Sequence, residues 1–156
     1  MFRLSRMTDY GIVLMTHLAE SDPGSIHNAR ELALHTQVPH PVASKLLKSL
    51  AREGLLASQR GARGGYSLAR APERISVAAL ITALEGPIGL TECSAHPGQC
   101  AQEPSCHVRE PWQRINRVVS DALAHVTLAD LARPGFPGAL LGALAIAPPP
   151  PRAGLE

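Results

Sequence analysis

No cysteine occurs before position 93 or after position 106 of this 156-residue chain. All three thiols, Cys93, Cys100 and Cys106, stand in one short loop with the spacing C-x6-C-x5-C. An odd, clustered set argues against a disulfide framework and for metal binding or redox chemistry in a reducing compartment. The chain also lacks an apolar leader: Met1-Phe2-Arg3-Leu4-Ser5-Arg6 runs into a polar, amphipathic segment, so no secretory signal is expected. No apolar run is long enough to span a bilayer, and the nearest, Ala139 to Ala147, is too short. A cytoplasmic protein with no membrane partner is expected. Marks of an enzyme are missing too. There is no Ser/His/Asp order, no carboxylate pair in a glycine-rich setting, and no nucleotide loop. The one glycine cluster, Gly61-Ala62-Arg63-Gly64-Gly65, is not followed by the Lys-Ser/Thr that a phosphate-cradling loop needs. Neither catalysis nor a small-molecule substrate is expected.

What is present divides by charge. The net charge of +2 combines a balance of +4 over residues 1–70 with −2 over residues 71–156. A basic front half suits a polyanionic partner. Its periodicity is helical. Tyr10, Val13, Leu14, His17 and Leu18 form one inward face of a first helix, expected to start near Thr8 as cap with Asp9 in its first turn. His17 on that face reads as a packed core histidine. Asn28, with Glu31 three residues on, opens a short second helix. Val38-Pro39-His40 then turns into a third, with Pro41 at its first position and Gly54 closing it.

That third helix separates two faces. Val42, Leu46, Leu47 and Leu50 point inward, while Pro41, Ser44, Lys45, Lys48 and Arg52 share an outer face with no carboxylate. A solvated helix face has the same look. The short helix–turn–helix proportions upstream and the segment downstream favour a DNA-reading helix instead. Downstream, Leu55 to Arg60, the glycine tip and Tyr66 to Ala69 read as strand, turn and strand, a wing. His40, Ser44 and Lys45 are then expected at base edges or adjacent phosphates, and Lys48 and Arg52 at phosphates. Arg60 and Arg63 at the wing tip suit a minor groove.

Ser76 caps a connecting helix packed through Val77, Leu80, Ile81 and Leu84, which Gly86-Pro87 stops. Beyond the cysteines, Pro111 is expected to open a long helix. Trp112, Ile115, Val118, Val119, Ala122, Leu123 and Val126 make a broad apolar stripe on it that a second copy of the chain would cover. Thr127-Leu128-Ala129-Asp130-Leu131 reads as a last helical turn. The expected fold is mainly α with a small β-hairpin wing. A winged helix-turn-helix over 1–72 is followed by connecting helix, cysteine loop and dimerisation helix over 73–133. Residues 134–156, rich in proline and glycine, read as a disordered tail.

Thiolates are soft ligands, and a loop holding three of them suits an iron–sulfur cluster. A structural zinc site is the alternative, although zinc knuckles commonly use the closer C-x2-4-C spacing. A metal-free thiol switch is another.

Four segments together resemble the IscR/NsrR family of bacterial winged-helix iron–sulfur regulators. They are Leu4-Ser5-Arg6-Met7-Thr8-Asp9-Tyr10-Gly11, Arg60-Gly61-Ala62-Arg63-Gly64-Gly65-Tyr66, Leu90-Thr91-Glu92-Cys93 with its two following cysteines, and Trp112-Gln113-Arg114. The first and third are most similar to regulators of the SUF cluster-assembly operon. The resemblance implies a homodimer on a double-stranded DNA operator and a [2Fe–2S] cluster, with [4Fe–4S] as the alternative. Cluster state would be coupled to repression of iron–sulfur assembly genes, with nitric-oxide sensing as the other reading within the family. Cys93, Cys100 and Cys106 would ligate the cluster. In the IscR branch a histidine three residues after the third cysteine completes the set, and here that position is Arg109. In the NsrR branch an aspartate of the other subunit's first helix serves, and Asp9 matches it. Asp9 is therefore ranked above His107 as fourth ligand, with His96, Glu92 and Glu103 as further candidates.

Overall fold

The computed structural model describes residues 3–134, so all but the first residue of the expected tail lies outside the described residues. Seven helices and one hairpin follow in the order α1 (Arg6–Glu20), α2 (Ala29–Thr36), α3 (His40–Arg52), β1 (Leu56–Gln59), β2 (Gly65–Leu68), α4 (Val77–Glu85), α5 (Glu92–Ala95), α6 (Arg109–His125) and α7 (Leu128–Ala132). This is the mainly helical fold with a two-stranded antiparallel wing that the sequence implies.

α1 begins earlier than Thr8. Ser5 is its cap, accepting the Thr8 N–H at 3.2 Å, and Thr8 itself is fully buried. A hydroxyl cannot be buried cheaply without a partner. The Thr8 hydroxyl has one in Glu85 at the end of α4, which accepts it at 2.6 Å and the Ser5 N–H at 2.6 Å through the same Oε1. The core then forms around Leu14, Met15 and Leu18, with Leu32 of α2, Leu46, Leu47 and Leu50 of α3, Leu80 of α4 and Leu128 of α7. Val13, expected inward, is instead 39% exposed. Its place on the buried face goes to Gly11 and Met15, because α4 crosses α1 there. A methyl on Gly11 would fall 2.5 Å from Leu84 Cδ1. His17 is half-buried and stacks on His35 of α2, their ring centroids 5.4 Å apart.

The second helix follows expectation: Asn28 accepts the Glu31 N–H, and Gln37 ends it in the left-handed conformation. α3 takes Pro39 as cap, with His40 ahead of Pro41, one residue earlier than expected. Ala43 is fully buried where Val42 was the expected inward residue; Val42 is only half-buried. Gly54 follows α3 at φ +72°. Since β1 starts two residues later, the wing is tied directly to the helix-turn-helix. It pairs Leu56 with Leu68 and Gln59 with Gly65. His27, between α1 and α2, exchanges both backbone hydrogen bonds with Tyr66 and so fastens the wing to the head. A side chain on Gly65 would collide with the His27 carbonyl.

The rest of the chain returns to this core. α6 starts at Arg109, two residues before Pro111, and packs on α4 and α5. It buries no residue completely, and Trp112, Ile115 and Val118 stay 40%, 46% and 62% exposed. α7, locked by a reciprocal Thr127–Asp130 capping box, packs on α1 and sinks Leu128 fully. Ile75, on the far side of residue 72 from the wing, also belongs to the same core.

The Thr8 and Ser5 hydrogen bonds hold the Glu85 carboxyl below its ordinary 4.5. A carboxylate whose pKa is depressed by folding stabilises the fold above its unfolded pKa, and loses that contribution as pH falls through the folded value. Replacing Glu85 by Gln should therefore lower the urea midpoint at pH 7, and the two proteins should converge well below pH 4.5. A constant difference at all pH values would show that the carboxylate charge plays no part.

Candidate DNA-reading face and cysteine loop

The outer face of α3 is built as its spacing demands. The inward side chains fix the helix on α1 and α2, and Lys45, Lys48 and Arg52 are left in solvent. Ser44 is half-buried, with its hydroxyl 3.4 Å from His40 Nε2 at the helix start. Among the described residues neither Lys45 nor Lys48 has an acidic partner. Arg52 does: Glu53, immediately after the helix, lies 3.6 Å from its Nε. The carboxylate-free face thus ends before Arg52. Both wing arginines, Arg60 and Arg63, are exposed beside the turn that Gly64 closes onto the Gly61 carbonyl. Gly61 takes φ +111°, a conformation that glycine adopts without strain.

The cysteine loop hangs between α4 and α6. Asn116, on the first half of α6, spans its entry, accepting the Leu90 N–H at 2.9 Å and donating to the Ile88 carbonyl at 3.1 Å. Cys93 lies in α5, is buried, and has the Thr91 hydroxyl 3.3 Å from its sulfur. It faces a cavity of about 310 Å³ against Gln113, Asn116 and Arg117 of α6. Cys100 and Cys106 are half-buried, and all three thiols are free. The loop turns at Gly98 (φ +83°) and again at the Glu103–Ser105 helical turn. Glu103 is buried. Its Oε2 accepts the Gly98 N–H at 2.7 Å and its Oε1 pairs with Arg109 at 2.8 Å.

This geometry bears on the candidate ligands. Among the described residues no three His, Cys, Asp or Glu side chains are gathered closely enough to hold a metal ion. The donor chemistry nevertheless suits an iron–sulfur group, with three unoxidised thiols in one loop. Glu103 is committed to Arg109 and Gly98, and Arg109 has no lone pair to offer a metal. Glu92, His96 and His107 are exposed on the loop, and Asp9 is exposed on the first turn of α1. Asn116 and the Glu103–Arg109 pair escape a reading by spacing. A polar residue interrupting the apolar stripe of α6 is the signal that points to Asn116. The pair has no sequence signal beyond its opposite charges.

A recognition helix in a helix-turn-helix, followed at once by a two-stranded wing, defines a winged-helix DNA-binding protein. The family is more specific: the model described as "Rrf2: Iron-dependent Transcriptional regulator" matches residues 4–134, and the chain belongs to that family of transcriptional regulators. The chain is 31% identical to the transcriptional regulator CymR of Bacillus subtilis over 130 residues, 83% of this chain and 89% of that protein. The structure titled "The Structure of CymR (YrzC) the Global Cysteine Regulator of B. subtilis" superposes with a TM-score of 0.66, covering 85% of this chain and 97% of that one. IscR of Erwinia tasmaniensis is 31% identical over 130 residues, covering 83% of this chain and 78% of IscR. The family consists of DNA-binding regulators, not enzymes. No described helix is long and apolar enough to cross a membrane.

Burial ranks the thiols. In the reduced, metal-free protein iodoacetamide should modify Cys100 and Cys106 before Cys93, and urea should erase the order. Peptide mass spectrometry reads the three rates, and a native Cys93 rate equal to the others would place α5 elsewhere.

Proposed function

We propose that this chain is an iron–sulfur-dependent, DNA-binding transcriptional repressor acting as a homodimer. The observation that carries the reading is the confinement of three free thiols to the one loop that joins α4 to α6, in a chain of this family. Cys93, Cys100 and Cys106 would hold the cluster, [2Fe–2S] in first place and [4Fe–4S] in second, with Asp9 of a second copy as fourth ligand. An oxygen donor is harder than thiolate and makes the labile corner. Held by these residues, a cluster would supply a redox- and oxygen-sensitive tie; the chain's own residues do the rest. Asp9 sits on α1, whose buried face carries α3. A tie from α1 of one copy to the loop of another fixes the separation of the two reading heads. Two heads held at one separation match two half-sites better than two that drift, and that difference in affinity is what a switch needs.

Trp112, Ile115 and Val118 on the outward side of α6 are the natural contact between copies, since so large an apolar stripe is costly in water. His40, Ser44 and Lys45 would touch base edges or adjacent phosphates, Lys48 and Arg52 phosphates, and Arg60 and Arg63 the adjacent minor groove. Iron–sulfur assembly genes of the SUF type are the proposed target, from the Leu90-Thr91-Glu92-Cys93 segment.

Three free thiols that the fold does not gather into a metal-holding group favour a second reading, a thiol switch without metal. Anaerobic purification with iron and sulfide assay separates the two. The cluster reading expects visible absorbance that Cys100→Ala abolishes together with a change in operator affinity. A colourless anaerobic protein whose operator affinity responds to peroxide alone would establish the thiol switch.

Lys48→Ala should weaken binding to all sequences about equally and reduce the slope of log affinity against log salt by about 1. Fluorescence anisotropy over a salt series measures both. An unchanged slope would remove α3 from the DNA.

A further inference from the structure

Glu103 is the one buried carboxylate among the described residues. Burying a charge is costly unless its oxygens are occupied, and here both are. Oε1 faces the Arg109 guanidinium at 2.8 Å, and Oε2 accepts the Gly98 N–H at 2.7 Å. The three partners are spread along the loop. Gly98 lies between Cys93 and Cys100, Glu103 between Cys100 and Cys106, and Arg109 opens α6. The backbone repeats the arrangement: the Glu103 N–H donates to the Cys100 carbonyl at 3.1 Å and the Arg109 N–H to the Cys106 carbonyl at 3.3 Å. Each residue of the ion pair thus sits three places after a cysteine, and its N–H bonds back to that cysteine's carbonyl. No core residue lies between Cys93 and Cys106 apart from Glu103, so little else holds the loop's shape.

We propose that Glu103 is a positioning residue for the cysteine loop: through Gly98 and Arg109 it clasps both inter-cysteine segments to the first turn of α6, setting Cys100 and Cys106 before any ligand arrives. The clasp also withholds Glu103 from metal ligation. A loop tied at two points has less conformational freedom to lose when its thiols converge on a ligand than an untied one, so the clasp favours ligand retention. The part of this inference that concerns the cluster rests on the function proposed above; the part that concerns the metal-free loop does not.

The full chain is compared as wild type, Glu103→Gln, Arg109→Gln and Arg109→Lys. In the reduced, metal-free proteins, iodoacetamide should modify Cys100 and Cys106 about tenfold faster in the two Gln variants, since a charge-assisted contact that closes the loop is lost. Arg109→Lys, which keeps the charge, should stay near the wild-type rates. Cys93 reports on folding, and its rate should not change. Arg109 is partly exposed, so Arg109→Gln decides the matter if Glu103→Gln does not fold. Wild-type rates at Cys100 and Cys106 in either folded variant overturn the clasp. In a second arm, proteins reconstituted anaerobically with iron and sulfide are exposed to air. The Gln variants should start with equal visible absorbance and lose it faster; equal decay in all four proteins overturns the claim for retention. If the wild type takes up no iron and sulfide, the cluster reading fails, while the alkylation rates still decide the clasp.

Discussion

Burial of one face of α1 is the constraint from which the other placements follow. Leu14, Met15 and Leu18 are covered from different sides by α2, α3, α4 and α7, so none of these helices can shift without opening a shared core. Close-packed interiors resist such shifts because every lost contact goes unreplaced. Two consequences matter for function. The lysine face of α3 is held rigidly against the same helix that bears Asp9. And α4, which delivers the chain to the cysteine loop, is tied to the start of α1 by Glu85, with Gly11 allowing the two helices to meet.

The cysteine loop contrasts with this head. It has no apolar core, and polar contacts shape it: Asn116 at its entry, Thr91 beside Cys93, and the Glu103–Gly98–Arg109 contacts across its second half. Segments with few buried apolar contacts open at low free energy. In the proposed function such a loop would change with the occupancy or oxidation of its sulfurs while the helical head stays folded. α6 joins the two parts. Its inner side packs on α4, and its outer side leaves Trp112, Ile115 and Val118 uncovered.

In a homodimeric reading, ligand at the loop and DNA at α3 are coupled through the relative placement of two rigid heads. That coupling is reciprocal: whatever makes the cluster favour one spacing makes the matching operator favour the cluster. In that reading Lys45 and Lys48, without an acidic partner among the described residues, would supply sequence-independent attraction, whereas Arg52 is partly offset by Glu53.

Much of this protein was legible in its sequence because the signals are local. Helical periodicity of Leu46, Leu47 and Leu50, the Asn28 and Ser76 caps, the glycine tip of the wing and the C-x6-C-x5-C spacing all depend on near neighbours in the chain. So does the apolar stripe of α6, although of its seven residues only Trp112, Ile115 and Val118 are exposed, and Val119, Ala122, Leu123 and Val126 are half-buried. What tertiary structure decided is which side of a helix meets another element. Thr8 read as the cap of the first helix, whereas Ser5 takes that place and Thr8 is buried within α1, its hydroxyl accepted by Glu85 far along the chain. Val13 was legible as core, yet it faces outward because α4 crosses at Gly11. Glu103 read as a candidate ligand, whereas folding brings Arg109 and Gly98 to its two oxygens. Those outcomes depend on residues that meet only after the chain has closed, and no local pattern encodes the meeting.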